Sequence, residues 1–80
     1  MAKISLTLIQ TFYHVAKRGS FSAAARELNL SYQSAANHVR RLEQILKDRL
    51  IDSEQGAKQV TLTPRGRVLY ALLDPELDIM

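Results

Sequence analysis

Apolar residues recur at helical spacing in four stretches of this chain of 80 residues. The first covers residues 6–17, and it lies between Ser5 and Gly19, residue types that begin and end helices. The second is the alanine-rich run of residues 23–28, for which we expect Ser22 to be the N-cap. Because its side chains are small, the sequence predicts that this second helix crosses a neighbour closely.

The third and fourth helical stretches complete the pattern. Residues 32–46 follow Ser31, a third predicted N-cap. Their buried stripe consists of Ala35, Val39, Leu42 and Leu46. Thr63 and Pro64 then open the fourth helix, because threonine caps well and proline is favoured at the first helical position. The apolar side of this last helix consists of Val68, Leu69, Leu72 and Leu73.

A small β-hairpin is predicted between the third and fourth helices. Residues 50–51 and 60–62 are short and partly β-branched, and the loop between them contains Gly56. Lys58 lies on this loop, where we expect it to reach a phosphate group. The predicted fold is mainly α, with a three-helix core, a β-hairpin wing and a C-terminal helix in one domain of residues 1–73. Residues 74–80 are expected to form a frayed acidic tail.

The segment of residues 19–43 is the most informative part of the chain. It combines an alanine-rich helix, a tight polar turn and a helix that runs into arginines, which is typical of a helix-turn-helix whose second helix enters the DNA major groove. The outward face of that helix consists of Gln33, Asn37, Arg40, Arg41 and Gln44. Amides pair with adenine edges, and arginine pairs with guanine or phosphate. Sequence-specific binding of double-stranded DNA is therefore the leading hypothesis.

The charge distribution favours the same partner. The formal net charge is +3, but Asp74, Glu76 and Asp78 place three of the eight acids in the last seven residues. Residues 1–73 therefore carry 11 basic and 5 acidic side chains. A basic body suits a polyanion, because neutralisation of phosphates dominates DNA affinity.

Composition disfavours several other functions. The chain has no cysteine, which excludes disulfides and cysteine-ligated zinc, and His14 and His38 lack metal-ligand spacing. No nucleophile–base pair, phosphate loop or paired carboxylate has a usable spacing, so we expect neither an enzyme nor a cofactor. There is no apolar run of membrane-spanning length and no signal-peptide pattern. We therefore expect a cytoplasmic protein that binds no metal and no membrane.

The chain resembles the N-terminal winged helix-turn-helix domain of LysR-type transcriptional regulators. The segment GSFSAAARELNLS, residues 19–31, is the most specific part of this resemblance, which extends over nearly the whole chain. The other matching residues are those at 12–15 together with Val39, Leu42, Glu43, Leu50, Leu62, Thr63 and Gly66.

The chain also departs from the usual LysR-type sequence. Proline, serine, glycine, phenylalanine and arginine are common in that family where this chain has Gln33, Ala36, Lys47, Ile51 and Ser53. The wing is slightly longer, and residues 31–35 are similar to the related domain of molybdate-responsive regulators. We expect these differences to alter base preference more than fold.

The resemblance implies a reading helix at about residues 31–46, which lies in the major groove. The expected base-reading residues are Tyr32, Gln33, Ser34 and Asn37. The expected phosphate contacts are Ser22, Ser31, Arg40, Arg41, Lys58 and Arg65. The resemblance further implies a homodimer through the first and last helices. Its candidate residues, which would otherwise be core, are Leu8, Val15, Leu69, Leu72 and Leu73.

Two alternatives remain open at this point. The chain is either a winged helix that binds DNA or a protein-interaction module, including a modulator that pairs with another regulator through the last helix and the acidic tail. LysR-type proteins continue into an effector-binding domain, so these residues are expected to be either a DNA-binding fragment or a small stand-alone regulator. We expect no small-molecule effector pocket in this chain.

Overall fold

A computed structural model describes residues 5–52 and 59–74 of the chain, which form four α-helices. The helices are α1 (Leu6–Arg18), α2 (Phe21–Leu28), α3 (Tyr32–Leu46) and α4 (Pro64–Leu73). The first three pack on one another, and α4 lies against the resulting core. This arrangement confirms the predicted mainly α fold.

A hydroxyl side chain caps the N-terminus of each described helix. The capping residues are Ser5, Ser20, Ser31 and Thr63, whose oxygens accept the backbone N–H groups of Thr7, Ala23, Ser34 and Gly66. No acidic residue lies in the first turn of any of these helices. The helices therefore begin where local hydrogen bonding by serine and threonine satisfies the first free N–H groups.

The prediction that Ser22 caps α2 was wrong. Ser20 caps that helix, with its Oγ 3.1 Å from the nitrogen of Ala23, and Ser22 is an exposed residue of the first turn. The sequence contains two serines two positions apart, and either spacing is compatible with a cap. The turn geometry decides between them, because Gly19 has a left-handed φ of 68° and leaves Ser20 extended.

The core lies where α1 crosses α2 and α3 and is closed by the first wing segment. Its buried members are Leu8, Phe12, Val15, Ala24, Ala25, Ala35, Val39, Leu42, Leu50 and Ile51. The burial of Ala24 and Ala25 agrees with the close helix crossing predicted from their size. Leu8 and Val15 are 6% and 0% exposed, so the prediction that they face a second subunit was wrong. Their side chains are already buried within this chain.

One polar residue lies within the apolar face of α1. Thr11 is buried, and its Oγ1 donates to the carbonyl of Thr7 at 2.9 Å. The same oxygen is 2.9 Å from Nδ1 of the half-buried His38 on α3. Since the only hydroxyl proton of Thr11 is used on Thr7, Nδ1 of His38 carries the hydrogen of this second bond. The contact satisfies the threonine and links α1 to α3.

The wing segments pair at a single antiparallel bridge between Ile51 and Leu62. The N–H of Asp52 donates to the carbonyl of Thr61 at 2.7 Å, and a second bond links the N–H of Thr63 to the carbonyl of Leu50. The two segments therefore pair at this point, but within the described residues they do not form the two strands of the predicted β-hairpin. Lys58 and the rest of the loop at 53–58 lie outside the described residues.

Helix α4 begins in direct contact with the backbone of residues 49–50. Thr63 Oγ1 donates to the carbonyl oxygen of Arg49 at 2.6 Å. A Cβ atom placed on Gly66 would lie 2.1 Å from the carbonyl oxygen of Leu50, so only glycine allows this approach. The two residues explain why the sequence opens this helix with Thr63-Pro64 and then places a glycine in its first turn.

The four apolar residues predicted to share one side of α4 lie on two. Leu69 and Leu73 are half-buried against the core, while Val68 and Leu72 are 55% and 78% exposed. Helix α4 ends at Leu73, as expected. Asp74, which the sequence assigned to the tail, is buried at the end of the helix and donates its N–H to the carbonyl of Tyr70. The rest of the predicted tail, residues 75–80, lies outside the described residues.

Candidate nucleic-acid interface

The outward face of α3 has the composition and exposure of a reading surface. Its members Gln33, Asn37, Arg40, Arg41 and Gln44 are all exposed. Within the part of the chain that the structure describes, none of these five side chains has a hydrogen-bond or ion-pair partner. The opposite face of α3 is buried through Ala35, Val39 and Leu42, which fixes the helix and directs its amides and guanidinium groups outward.

The N-terminal turn of α3 is held by a pair of serines. Ser31 Oγ accepts the N–H of Ser34 at 3.0 Å and donates its own proton to Ser34 Oγ, also at 3.0 Å. The hydroxyl proton of Ser34 is then the one left to point away from the pair. The N–H groups of Tyr32 and Gln33 lie in the first turn of α3, where no carbonyl of the helix can accept them. The turn therefore presents these backbone donors as well.

Tyr32 contacts α2 and is also accessible. Its ring centroid lies 5.7 Å from that of Phe21, and the residue is 41% exposed. The structure shows the packing contact and leaves part of the ring free. The ring of Tyr32 is therefore positioned by Phe21 at the edge of the outward face.

Acidic groups of the helical core are occupied by internal partners. Glu27 accepts hydrogen bonds from Arg18 and from Nδ1 of His14, the latter at 2.6 Å. The hydrogen bond from Arg18, followed by that from His14, lowers the pKa of Glu27 from 4.5 to about 2. Glu27 is therefore paired within the chain, whereas Arg40 and Arg41 of α3 have no ion-pair partner among the described residues.

Glu43 is the only acid of α3, and its half-buried side chain points to the wing. Its Oε2 accepts the N–H of Leu50 at 2.8 Å and that of Ile51 at 3.1 Å. In the sequence, Glu43 is one of the residues that match the LysR-type family, and no contact was predicted for it. Two features of the sequence could have indicated this contact. Glu43 is the only acid of a basic helix, and it precedes a predicted strand whose first N–H groups need acceptors.

Arg65 lies in the first turn of α4 and forms an ion pair with Asp48. The Nε of Arg65 is 2.9 Å from Oδ2 of Asp48, and both side chains are exposed. Pairs of this kind contribute at most about 1 kcal/mol, so the guanidinium remains able to exchange Asp48 for a phosphate. Arg49 beside it donates from Nη2 to the carbonyl of Ile51 at 3.0 Å.

The structure brings most of the predicted site residues onto one element. Seven of them lie on α3 or its cap, namely Ser31, Tyr32, Gln33, Ser34, Asn37, Arg40 and Arg41. Ser22 is exposed on α2, and Arg65 is exposed on α4. Lys58 lies outside the described residues.

A separate apolar patch lies between the end of α3 and α4. It surrounds a shallow cleft lined by Leu46, Val68, Leu69 and Leu72, with Arg65 at its edge. The prediction that Leu46 belongs to the buried stripe of α3 was wrong, because this last residue of the helix is 37% exposed. The two outward residues of α4 are more exposed still. The patch is distinct in composition from the amide and arginine face of α3.

Two further features are absent from the residues that the structure describes. Among residues 5–52 and 59–74, no cluster of three or more His, Asp or Glu side chains is placed to bind a metal ion. The described helices also include none whose length and apolarity would suffice to span a bilayer.

Comparisons with known proteins identify the family. A family model described as bacterial regulatory helix-turn-helix protein, lysR family, matches residues 6–67, which is more than half of the chain. The HTH-type transcriptional regulator PerR of Escherichia coli is 35% identical over 69 residues, which are 86% of this chain and 23% of the relative. The AhcY transcriptional activator HvrB of Rhodobacter capsulatus is 41% identical over 70 residues, again 86% of this chain and 23% of the relative.

Solved structures agree in fold. A mutant of Corynebacterium glutamicum OxyR superposes with a TM-score of 0.82 at 30% identity, covering 96% of this chain and 24% of that one. A complex described as BenM_DBD with catB site 1 DNA has a TM-score of 0.79 at 27% identity, covering 92% of this chain and 80% of that one. The chain spans about a quarter of the length of the curated relatives it matches. It belongs to the lysR family of bacterial regulatory helix-turn-helix proteins and has the fold of their DNA-binding domain.

Proposed function

We propose that this domain binds double-stranded DNA sequence-specifically, as the DNA-binding part of a transcriptional regulator, with α3 in the major groove. The observation that carries the proposal is the outward face of α3, where exposed amides and arginines have no partner among residues 5–52 and 59–74 and the helix behind them is fixed by the core. A major groove admits one α-helix, and amide and guanidinium groups match the base edges displayed there. The resemblance in fold to a domain crystallised with DNA supports the same partner.

Base reading is assigned to the first two turns of α3. The proposed base-reading residues are Tyr32, Gln33, Ser34 and Asn37. The residues proposed to contact phosphates are Ser22, Ser31, Arg40, Arg41, Lys58 and Arg65. Each good contact of a base reader discriminates between bases by about 1–3 kcal/mol, whereas phosphate contacts add affinity without sequence preference.

Selection of bound duplexes from a random DNA library tests the proposal, because it reports binding, preferred sequence and symmetry together. We expect Gln33→Ala and Asn37→Ala each to relax the preference at one or two base positions. Gln10→Ala is the matched control, since Gln10 is an exposed amide on α1, away from the reading face. Unchanged base preference in both α3 variants would reject the assigned reading surface.

A salt titration separates the two kinds of contact. The logarithm of the binding constant falls with the logarithm of salt concentration by about 0.9 for each neutralised phosphate. Arg40→Ala is therefore expected to reduce this slope by about one contact while the preferred sequence is kept. Arg67→Ala, which removes an exposed arginine of α4, is the control and is expected to leave the slope unchanged.

We further propose that the domain forms a homodimer through the exposed residues of α4, so that two reading helices meet half-sites about 34 Å apart or a multiple of that. The supporting feature is the apolar patch of Leu46, Val68, Leu69 and Leu72. On α1 the exposed candidate is Leu6, because Leu8 and Val15 lie in the core. These few side chains would bury less surface than the roughly 1,200 Å² that a stable interface buries. We therefore expect a weak dimer.

The remaining parts of the proposal follow from DNA as the partner. We place the DNA-binding unit in residues 1–73 and assign it binding rather than catalysis, as its relatives are transcriptional regulators. Because bacterial DNA lies in the cytoplasm, the domain is expected there. Failure to retain any duplex at low salt, together with capture of a defined protein partner, would replace this proposal by that of a protein-interaction module.

A further inference from the structure

We infer that Glu43 is a positioning residue for DNA binding, which sets the wing and the start of α4 relative to the reading helix. The inference rests on the proposed function, since it concerns how the phosphate contacts of α4 are aligned with the base contacts of α3. Glu43 itself faces the wing and not the outward face of α3.

The carboxylate of Glu43 contacts the backbone of the wing. A single oxygen, Oε2, accepts two consecutive backbone N–H groups, from Leu50 at 2.8 Å and from Ile51 at 3.1 Å. Both donor residues are buried, at 0% and 6% exposure, so water is a poor substitute for the carboxylate. A buried N–H group that loses its acceptor destabilises the fold. Hydrogen bonds to a charged acceptor are also stronger than those between neutral groups.

Leu50 and Ile51 in turn contact residues at and before the start of α4. Leu50 accepts the N–H of Thr63 at 3.0 Å, and the backbone of Gly66 lies against its carbonyl group. Ile51 pairs with Leu62 across the bridge. The carboxylate on α3 is therefore connected through one short segment to the first turn of α4.

The start of α4 carries a residue that is proposed to contact DNA. Arg65 lies in that first turn, between Pro64 and Gly66, and is the phosphate contact proposed for this side of the domain. Gln33, Asn37 and Arg40 lie on the same helix as Glu43. A rigid link from α3 to α4 allows both sets of contacts to be made at once, because contacts held in a fixed relation cost less ordering on binding.

The sign of the effect separates positioning from simple charge. Removal of a carboxylate near a polyanion strengthens binding if charge alone matters. If Glu43 positions the wing, its removal weakens binding despite the gain in positive charge. Glu43→Asp keeps the charge and shortens the side chain by one methylene, so it loses reach without losing charge.

The experiment measures the affinity of the selected duplex and its salt dependence by fluorescence anisotropy. We expect Glu43→Ala and Glu43→Asp to weaken binding several-fold and to reduce the salt slope by about one phosphate contact. Glu43→Gln retains an uncharged acceptor oxygen and is expected to be intermediate. Base preference is expected to stay unchanged in all three variants, since the outward face of α3 is intact.

Double variants test the path itself. Glu43→Ala combined with Arg65→Ala is expected to lose no more affinity than the weaker-binding single variant, because both remove the same contact. Glu43→Ala combined with Arg40→Ala is the control, and its losses are expected to multiply. Circular dichroism at the assay temperature establishes that each variant is folded. If Glu43→Ala and Glu43→Asp do not fold, Glu43→Gln tests the inference alone. Weaker binding by this variant would support it, and equal or tighter binding would overturn it.

The outcomes are distinguishable. Equal or tighter binding by the folded Glu43 variants, or losses that multiply with Arg65→Ala, would overturn the inference and leave the proposed function standing. A wild-type domain that retains no duplex at low salt would reject both.

Discussion

Substitution of Gly66 by alanine is the most direct test of how α4 is seated. The added Cβ would lie 2.1 Å from the carbonyl oxygen of Leu50, so helix and wing must separate by about 1 Å to reach the closest distance that real Cβ atoms show. Overpacking of this kind costs about 1–3 kcal/mol. The movement also weakens the hydrogen bond from Thr63 to Leu50, for about 1 kcal/mol more.

One term opposes these costs. Alanine is favoured over glycine within a helix by about 1 kcal/mol. We therefore expect Gly66→Ala to lower the free energy of unfolding by about 1–3 kcal/mol, out of roughly 4–12 kcal/mol for a domain of this size. In a domain this small each kcal/mol corresponds to a fall of about 4–8 °C in Tm.

Thermal and urea unfolding followed by circular dichroism measures the effect. Arg67→Ala is the control, because Arg67 is the next residue of the same helix, is exposed, and gains in helix propensity without meeting other atoms. A Tm of Gly66→Ala equal to or above that of the wild type would refute the reasoning, since it would mean that α4 can move away from Leu50 without cost.

The backbone of Lys47, the pairing of Glu27 and the exposure of Leu72 each lead to a further prediction. Lys47 has a left-handed φ of 55°, so Lys47→Gly is expected to raise the urea midpoint by the equivalent of about 0.5–1 kcal/mol, and a lower midpoint would contradict the strain. Glu27 has a pKa lowered from 4.5 to about 2, so its pairing stabilises the fold above about pH 5 and this contribution is lost as the pH falls toward 2. The deficit of Glu27→Gln in urea unfolding should therefore be full at neutral pH and vanish near pH 2, and a deficit independent of pH would exclude the ionic explanation. Leu72→Glu should abolish any concentration-dependent dimer seen by analytical ultracentrifugation without lowering Tm, because Leu72 is 78% exposed. A dimer that survives this change would exclude the α4 seam.

The sequence was sufficient for the elements whose cause is local. The bounds of α3 and α4 follow from hydroxyl caps and apolar spacing, and the outward direction of Gln33 and Asn37 follows from the stripe of Ala35, Val39 and Leu42. These features depend on residues within a few positions of each other, so the capping residues and the helical period together determine them.

Several features that sequence reasoning missed depend on contacts between distant parts of the chain. Leu8 and Val15 are apolar on a wide face, and only the crossing of α1 with two other helices shows that this face is fully used within one chain. The burial of Thr11 requires a partner from α3, 27 positions away in the sequence. Glu43 accepts N–H groups of the wing segment that follows α3, a contact that the periodicity within α3 cannot reveal.

The departure at Lys47 has a structural explanation. Lys47 is the C-cap of α3, in the left-handed conformation that glycine adopts without strain. The glycine usual at this position in LysR-type proteins thus suits a backbone requirement, and lysine meets it at some cost in stability. This substitution bears on stability and does not touch the reading surface.

Hydroxyl caps in place of carboxylates have an electrostatic consequence at the start of α3. Aspartate caps a helix as well as serine does, and an acid near the N-terminus would also offset the partial positive charge of the helix dipole. With Ser31 as the cap and no acid in the first turn, that positive potential is left for a ligand. Ser31→Asp would thus preserve the helix while repelling a phosphodiester, so the choice between two equally good capping residues separates folding from affinity for nucleic acid.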